Sequence, residues 1–363
     1  MYELIPSEKY LDDLLSFSKK AKERIYIQAM HVVFNDKFSE FINELISAKK
    51  RGVDVRLNID DYSKVYNNLG HRYLHISKNK LYKCQKDASR SRFYIDKLLR
   101  AGVDVLFINE YKYNKKLAEY IPFLGRNHMK ITVIDDISYI GGINLSSKSL
   151  NYIDFMLRTN DKSLLDALID LFFKSRNNIN FNDYKINLEG GDTLLVDSGK
   201  TYKSIIYDTV LKEIYNSKDS ILYISQFLPD FKILKALKFV QSRGVDVNII
   251  THASHVSEKK YRTFVEHSMF NFSNLNIRNV YFSKDRYVHA KMVIIDKGKE
   301  SERAIFGSHN FSTFGVLFGT KEISLLTRNK QVIDMLYLWY NSIKPEDNKL
   351  VKYATPAQSS KHI

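Results

Sequence analysis

The order of apolar and polar positions divides this chain into two similar parts. Residues 22–60 and 218–252 each contain an apolar run of strand length, then apolar residues three and four apart, and then Arg-Gly-Val-Asp-Val at the start of a second apolar run. Spacings of three and four are typical of an amphipathic helix, whereas short apolar runs are typical of buried strands. Each segment therefore predicts a βαβ unit with parallel strands and a right-handed crossover.

The remaining apolar runs predict further strands and helices in the same alternation. Strands are expected at residues 103–108, 151–155, 193–197 and 321–326, and helices at 91–100, 162–174, 201–216 and 332–343. The glycines of Arg51-Gly52 and Arg243-Gly244 are expected to end the two repeat helices. Residues 175–191, with a run of Asn and a Gly pair, are the expected linker between the parts.

The two parts differ mainly at residues 62–91, an additional stretch of the first part that is rich in Lys, Tyr, Asn and His. Two interpretations stay open for it: a solvated loop or helical excursion, or a lid or head-group-binding element beside a site. His71 and His75, together with Cys84, do not predict a metal site, because no fourth ligand follows at a recognisable spacing.

Composition narrows the class of protein. With 363 residues, 44% of them hydrophobic, the chain can fill the cores of two ordinary domains. A net charge of +15 predicts a polyanionic partner, either nucleic acid or an anionic membrane surface. The single cysteine excludes an internal disulfide and favours a reducing compartment. The N-terminus does not resemble a signal peptide and no apolar run is long enough to cross a membrane, so a membrane can be contacted only at its surface.

One short motif occurs once in each part. Its members are His128, Lys130, Asp135, Gly141, Gly142 and Asn144 in the first part, and His289, Lys291, Asp296, Gly307, Ser308 and Asn310 in the second. An apolar run follows each lysine, so the His and Lys of each pair point to the same side of a buried strand. One such pair is usually without function, but two complete copies at matching spacing are very hard to obtain by chance.

These residue types suit chemistry at phosphorus. Neutral imidazole is a nucleophile and protonated imidazole is an acid, and both forms are accessible near pH 7. Two ammoniums and two Asn amides can stabilise the charge of a phosphodiester transition state. The small residues Gly141, Gly142, Gly307 and Ser308 are expected to let the backbone approach the phosphate. Because one part supplies the nucleophile and the other the acid, the site is predicted where the two parts meet.

The duplicated motif resembles the signature of the phospholipase D superfamily, and the resemblance covers most of the chain. It implies that His128 is the nucleophile, which forms a phosphohistidine, and that His289 protonates the leaving alcohol and then activates the acceptor. It also implies a phosphate-binding role for Lys130, Lys291, Asn144 and Asn310, with Gly142 and Ser308 beside them. Neither a metal nor another cofactor is needed in this scheme.

The resemblance also implies supporting residues. In the superfamily each histidine is held by a carboxylate farther along its own half, and Asp154 and Glu322 lie where such residues are expected. Asp135 and Asp296 resemble structural residues that support the site through hydrogen bonds. His309, between Ser308 and Asn310, is expected to be a turn residue that faces outward.

Within the superfamily, the chain is most similar to phosphatidyltransferases of the cardiolipin synthase type. The segments that carry this similarity are 60–62, 126–128, 140–144 and 226–230. Three departures stand against it: Met129 in place of the usual Arg, Phe314-Gly315 in place of an Arg-Ser pair, and Thr320-Lys321 before Glu322.

Three functions therefore stay open. A phosphatidyltransferase or phospholipase D acting on anionic phospholipid, cytoplasmic and peripheral to the inner face of the membrane, predicts an apolar rim around the site, with residues 62–91 as the candidate. A metal-independent nuclease predicts a basic groove for nucleic acid. A degenerate binding protein is disfavoured, because every His, Lys and Asn of the motif is present. The oligomeric state is left open.

The expected fold is α/β. It consists of two similar α-β-α sandwich halves in a pseudo-two-fold arrangement of the phospholipase D type, with the active site at their interface. The first half is expected at residues 1–178, the second at 179–345, and a polar C-terminal tail at 346–363.

Overall fold

A computed structural model describes residues 1–64, 78–110, 124–252 and 279–344, without the side chains of 78–85 and 279. The polar tail, His71 and His75 lie outside these residues, as does the side chain of Cys84. Of the 62–91 stretch, for which a lid was one interpretation, residues 65–77 are likewise outside them.

The strands of the first half are β1 (Tyr2–Pro6), β2 (Arg24–Ala29), β3 (Val32–Val33), β4 (Asp54–Asp60), β5 (Asp104–Ile108), β6 (Ile131–Ile134), β7 (Ile137–Gly141), β8 (Leu145–Ser146) and β9 (Phe155–Thr159). Those of the second half are β10 (Tyr184–Asn187), β11 (Thr193–Ser198), β12 (Ser220–Ile224), β13 (Asp246–His252), β14 (Asn279–Ser283), β15 (Met292–Ile295), β16 (Arg303–Gly307) and β17 (Lys321–Thr327). The helices are α1 (Ser7–Lys20), α2 (Ser39–Lys50), α3 (Lys78–Arg100), α4 (Lys162–Arg176), α5 (Ile205–Tyr215), α6 (Phe231–Ser242), α7 (Thr313–Phe318) and α8 (Lys330–Ile343).

The two large sheets have the same strand order. The first runs β1-β9-β7-β6-β2-β4-β5, and the second runs β11-β17-β16-β15-β12-β13-β14 with β10 added at one edge. In both repeats the strands that flank the helix are parallel, β2 with β4 and β12 with β13. The predicted βαβ units and the predicted α/β fold of two similar halves are therefore confirmed.

Both repeat helices end as predicted. Helix α2 buries Phe41, Ile42 and Leu45 against the first sheet, and their spacing of one and three residues gives the helix its apolar face. Gly52 and Gly244 follow α2 and α6 with a φ of 93° each, a left-handed conformation that a side chain disfavours.

A shared core joins the halves. Helices α4 and α8 lie between the two sheets, where Phe172 of α4 and Tyr340 of α8 are buried in one apolar cluster. The Phe155 ring lies 5.7 Å from that of Phe306 and 4.7 Å from that of Trp339, measured between ring centroids, so it contacts the second half directly. Because buried side chains pack at crystal-like density, this cluster sets how the two sheets face one another.

Several boundaries differ from those expected. Helix α3 begins at Lys78 rather than Ser91. The prediction missed its first turns because they are polar and carry no apolar periodicity. Strand β9 begins at Phe155, so Asp154 lies just before the strand. The expected linker contains β10, which pairs with β11 at the edge of the second sheet. Among the helices of the described ranges, none combines the length and the apolar character needed to cross a membrane.

Candidate active site

The two motif histidines lie at the floor of one cleft between the halves. His128 precedes β6 and His289 precedes β15, at equivalent places in the two sheets. The two histidines are 7% and 8% exposed, and both line a cleft of about 180 Å³ that opens to solvent. The predicted meeting of the two motifs at the interface of the halves is confirmed.

Each histidine is held by a carboxylate from the opposite half. The Nδ1 atom of His128 lies 2.9 Å from Oε2 of Glu322, and Nδ1 of His289 lies 2.6 Å from Oδ2 of Asp154. The expectation that each carboxylate serves the histidine of its own half is wrong. The two pairs are exchanged across the interface.

A backbone hydrogen bond accompanies each exchanged pair. The His128 N–H donates to the Lys321 carbonyl at 2.8 Å, and the His289 N–H donates to the Ile153 carbonyl at 2.9 Å. Lys321 and Ile153 each precede a carboxylate, so the segment that carries the carboxylate runs beside the histidine loop of the other half. Distance along the chain carries no information about this pairing.

The carboxylates fix the orientation of the imidazoles. Burial alone raises the pKa of Glu322, but the charge of His128 and its hydrogen bond lower that pKa to about 2. Burial likewise opposes ionisation of Asp154, yet the hydrogen bond and charge of His289 keep its pKa below the ordinary value. An ionised carboxylate accepts a hydrogen bond from the Nδ1–H group, which leaves the Nε2 atom of each ring without a carboxylate partner.

Two buried ammoniums lie behind the histidines. Lys130 Nζ donates to the His128 carbonyl at 2.7 Å, and Lys291 Nζ donates to the His289 carbonyl. Burial lowers the pKa of Lys130 to about 7 and that of Lys291 to about 8. Burial and the nearby Lys291 charge lower the pKa of His289 to about 3, and burial also lowers the pKa of His128. An anionic ligand in the cleft favours protonation of all four groups.

Both motif asparagines line the cleft. Asn144 Oδ1 accepts a hydrogen bond from the His31 N–H at 3.2 Å, which fixes its amide. Asn310 Oδ1 is buried and has no hydrogen-bond partner among the described residues. The structure therefore brings both amides to the same cleft as the histidines.

Gly142 and Ser308 contact the carboxylates instead of lining the cleft. A Cβ atom at Gly142 would lie 2.5 Å from Oδ1 of Asp154, so glycine makes room for that carboxyl group. The Ser308 hydroxyl, at the equivalent position, donates to Glu322. The expectation that these two small residues let the backbone approach a phosphate is thus corrected, because the nearby space is occupied by Asp154 and Glu322.

Asp135 and Asp296 act at the far ends of the histidine strands. The Asp135 carboxylate accepts hydrogen bonds from the N–H groups of residues 22–24, and Asp296 accepts them from residues 218–220. These bonds hold the starts of β2 and β12 against β6 and β15. They agree with a structural role, at a place remote from the two imidazoles.

The lead-in to each histidine is fixed differently in the two halves. Buried Asp60 accepts from the Arg126 guanidinium at 3.1 Å and from the Asn127 N–H at 2.7 Å. At the equivalent place, the ring centroids of His252 and Tyr287 lie 4.3 Å apart. Sequence analysis missed both contacts, although the last residues of the two repeats, Asp60 and His252, carried the signal.

His309 faces inward, so the expectation of an outward turn residue is wrong. It is 1% exposed, its Nδ1 accepts from the Phe311 N–H at 2.9 Å, and its Nε2 lies 3.5 Å from the Ser204 hydroxyl. The turn after β16 folds back toward β11, whose partner strand carries Glu322. Burial lowers the pKa of His309 to about 4, which keeps it neutral.

The walls of the cleft contain residues that the motifs did not indicate. Lys148, Ser149 and Tyr152 line it from the first half, and Phe314 and Phe318 from the second. Tyr62, from the stretch in which an apolar rim was expected, also lines it. In the described part of the chain, no group of three His, Cys, Asp or Glu side chains is arranged to hold a metal ion.

Solved structures of other proteins share this fold. A phosphatidylserine synthase of Haemophilus influenzae superimposes with a TM-score of 0.70 at 13% identity, covering 94% of this chain and 86% of that chain. A polyphosphate kinase of Porphyromonas gingivalis gives 0.57 at 14% identity, covering 93% of this chain and 50% of its own. At these identities the likeness shows the fold alone.

The curated relatives of this chain include cardiolipin synthases. The major cardiolipin synthase ClsA of Bacillus subtilis is 25% identical over 78% of this chain and 57% of its own length. The cardiolipin synthase of Geobacillus kaustophilus is 24% identical over 90% of this chain and 64% of its own. The chain thus spans less than two thirds of the length of these relatives.

A family model supplies the assignment. The model described as "Cardiolipin synthase, PLD-like domain" matches residues 14–175 and 210–343, which together make up most of the chain and include both motifs. The chain belongs to this phospholipase D-like family of the cardiolipin synthase type.

Proposed function

We propose that this chain transfers the phosphatidyl group of an anionic phospholipid to an alcohol or to water, through a phosphohistidine at His128. One observation carries the proposal: two imidazoles share one cleft floor, and an ionised carboxylate holds the Nδ1 atom of each. This arrangement suits one ring as nucleophile and the other as acid. The cardiolipin synthase relatives support phospholipid as the substrate.

The first step forms a phosphorus–nitrogen bond. The Nε2 lone pair of His128 attacks phosphorus, and Glu322 stabilises the imidazolium that develops. The bond between phosphorus and the leaving alkoxide oxygen breaks with its electron pair. His289 Nε2 delivers a proton to that oxygen, so the head group leaves as a neutral alcohol.

The second step reverses these roles. Neutral His289 takes the proton of the incoming alcohol or water, whose oxygen attacks phosphorus. The phosphorus–nitrogen bond breaks, and its electron pair returns to His128. Lys130 and Lys291, with Asn144 and Asn310, stabilise the charge on the phosphoryl oxygens. Each such donor contributes about 3 kcal/mol to transition-state stabilisation.

The charge of the bound substrate favours the protonated, acid form of His289. In the free cleft the pKa of His289 is lowered to about 3, so the ring is neutral near pH 7. A bound phosphodiester anion raises that pKa, because it favours the charged form of every nearby base. The cleft therefore gains its acid when the substrate arrives.

We place the enzyme at a membrane surface, on the cytoplasmic side. The net charge of +15 matches an anionic leaflet. Part of the cleft wall is apolar, with Phe314 and Phe318 beside the catalytic floor, as a diacyl substrate requires.

The test is turnover in EDTA by the wild type, by His128→Ala and by a surface control, Lys238→Ala. Each receives phosphatidylglycerol vesicles and, separately, single-stranded DNA, and the products are identified by mass spectrometry. We expect cardiolipin or phosphatidic acid from the wild type and the control, and a loss of about 10⁴-fold or more in His128→Ala. Cut DNA with unchanged lipid would move the function to the nuclease alternative.

The identity of the nucleophile has its own experiment. Rapid denaturation of the wild type during turnover, at alkaline pH because the phosphorus–nitrogen bond is acid-labile, should trap the phosphatidyl group on the peptide that contains His128. A phosphatidyl adduct on the His289 peptide of the wild type would reverse the two roles.

A further inference from the structure

The two rims of the cleft differ in chemistry although equivalent positions form them. The fourth residue after the motif asparagine is Lys148 in the first half and Phe314 in the second. The fifth residue is Ser149 or Gly315, respectively. All four line the cleft. One mouth of the site therefore has a cationic polar side and an apolar side.

The apolar rim is a patch centred on α7, whose six residues carry no charge. Phe314 and Leu317 of α7 are 43% and 36% exposed. Tyr202, 77% exposed, donates its N–H to the Val316 carbonyl at 2.9 Å. Phe231, 56% exposed, follows Asp230, whose carboxylate accepts from the N–H and hydroxyl of Thr313. We define the apolar rim as Tyr202, Phe231, Phe314, Leu317 and Phe318.

Backbone hydrogen bonds connect this apolar rim to the segment that leads into His128. The Gly125 N–H donates to the Phe318 carbonyl, and the Lys321 N–H donates to the Arg126 carbonyl, both at 2.8 Å. His128 donates back to the Lys321 carbonyl. The end of α7 and the segment that leads into His128 thus run side by side.

The polar rim, defined as Lys148, Ser149 and Tyr152, lies on the side of His289. The ring centroid of Tyr152 is 5.6 Å from that of His289. The next residue, Ile153, accepts the His289 N–H. Lys148 is exposed at the cleft wall, where its ammonium can meet an anion. Because the carboxylates are exchanged, the rim of each half faces the histidine of the other half.

We propose that the cleft is polarised: the acyl chains of the phosphatidyl group leave over the apolar rim, and the head group, then the acceptor with its phosphate, occupies the polar rim. This inference rests on the proposed function. In an in-line displacement the nucleophile and the leaving group lie on opposite sides of phosphorus. A phosphatidyl group on His128 next to the apolar rim, with the departing alcohol beside His289 and Lys148, satisfies that requirement.

The membrane is the occupant of the apolar rim. Exposed aromatic and aliphatic side chains that continue into a lipid-cleaving cleft are stabilised by insertion into the acyl region of a bilayer. Lys203, exposed beside Tyr202, adds attraction to an anionic leaflet. The rim thereby sets the depth at which the cleft meets the lipid phosphates.

The apolar rim is tested with the double variant Phe314→Ser/Leu317→Ser, against Leu338→Ser, a control that is 67% exposed on α8. Donors are phosphatidylglycerol in vesicles and monomeric dihexanoyl phosphatidylglycerol. We expect the double variant to lose about tenfold or more of its activity on vesicles and to float less with them. Its loss of activity on the monomeric donor should be several-fold smaller. Equal losses on the two donors would overturn the role of the apolar rim.

The polar rim is tested with Lys148→Ala against Lys238→Ala. Labelled glycerol and phosphatidylglycerol compete as acceptors, so that each turnover reports which one was used. We expect Lys148→Ala to lower the ratio of cardiolipin to glycerol-exchange product by about tenfold, because one charge-assisted contact to the acceptor phosphate is lost. An unchanged ratio would overturn the assignment.

Failure of the proposed function gives a different result. If the wild type turns over neither donor in EDTA, the proposed function falls and the polarised cleft falls with it. If the wild type is active but the two rims respond identically to donor and acceptor, only the polarised cleft is overturned. The polarised cleft would also be overturned by a wild type that cleaves DNA and leaves lipid unchanged, if the Phe314→Ser/Leu317→Ser variant lost that DNA cleavage.

Discussion

The two halves of this protein carry the same His-Lys framework but support it with different side chains. In the first half, Gly142 leaves room for the short carboxylate of Asp154. At the same place in the second half, the hydroxyl of Ser308 donates to the longer Glu322. Because each carboxylate then serves the histidine of the other half, neither half forms a complete site alone. Duplication supplied the framework, and the supporting residues allow the two imidazoles to take different roles.

Substitution of either exchanged carboxylate should have the largest effect on activity. Asp154→Asn and Glu322→Gln should each lower kcat by about 10³-fold, because the amide no longer fixes the tautomer or stabilises an imidazolium. Loss of the carboxylate charge should also lower the pKa of its partner: His289 in Asp154→Asn and His128 in Glu322→Gln. NMR titration of labelled histidine separates the pairs. A shift confined to the histidine of the same half would contradict the exchanged arrangement.

Swapping the small residues should give the next largest effect. Gly142→Ser places a Cβ atom 2.5 Å from the Asp154 carboxyl, which must move. We expect kcat to fall by about 10²-fold, since a displacement of roughly 1 Å in a catalytic group costs that much. Ser308→Gly removes one hydrogen bond and leaves space, so its loss should be about tenfold. Steady-state kinetics on one donor compare the two, and equal losses would show that the halves support their carboxylates alike.

The lead-in contacts should affect stability more than chemistry. Arg126→Met leaves Asp60 buried without its cation, which should reduce the free energy of unfolding by about 3 kcal/mol. Tyr287→Leu removes the ring contact with His252 and the hydrogen bond from Gln226. It should reduce the free energy of unfolding by about 2 kcal/mol. Urea unfolding followed by circular dichroism measures both. A larger loss from Tyr287→Leu would place the stronger support in the second half.

The buried lysines predict an effect that is the smallest near pH 7 and grows as the pH rises. With pKa values of about 7 for Lys130 and about 8 for Lys291, the free enzyme loses the ammoniums that bind phosphate as pH rises. We expect kcat/KM to fall by roughly tenfold per pH unit above about pH 7, where Lys130 is deprotonated, and more steeply above about pH 8, where Lys291 is deprotonated as well. Lys130→Met should lower the activity and remove one of these two titrations from the profile.

Stability should change in the opposite direction. Between about pH 7 and pH 10 the unfolded chain binds more protons at these lysines than the folded chain does, so their contribution to stability rises with pH. Thermal unfolding of the wild type and Lys130→Met across this window measures the difference. A wild type whose relative stability falls over the window would contradict the lowered pKa of Lys130.

Much of the fold was predictable because it depends on local periodicity. Apolar spacing identified the two βαβ units, and the Arg-Gly pairs located the ends of α2 and α6. The polar first turns of α3 carried no such signal, so its start at Lys78 was missed. Strand β10 was missed for a related reason: four residues at a sheet edge, half of them exposed, do not produce an apolar run.

For the site, the sequence by itself determined which residues meet: the duplicated motif requires two His-Lys pairs at one interface, because one half supplies the nucleophile and the other the acid. Tertiary structure alone decided how they are connected. Whether Asp154 serves His128 or His289, whether His309 faces in or out, and which rim is apolar depend on strands that lie side by side across the interface. The number of residues between two positions in the chain does not encode such contacts. The packing of the shared core between the sheets determines them.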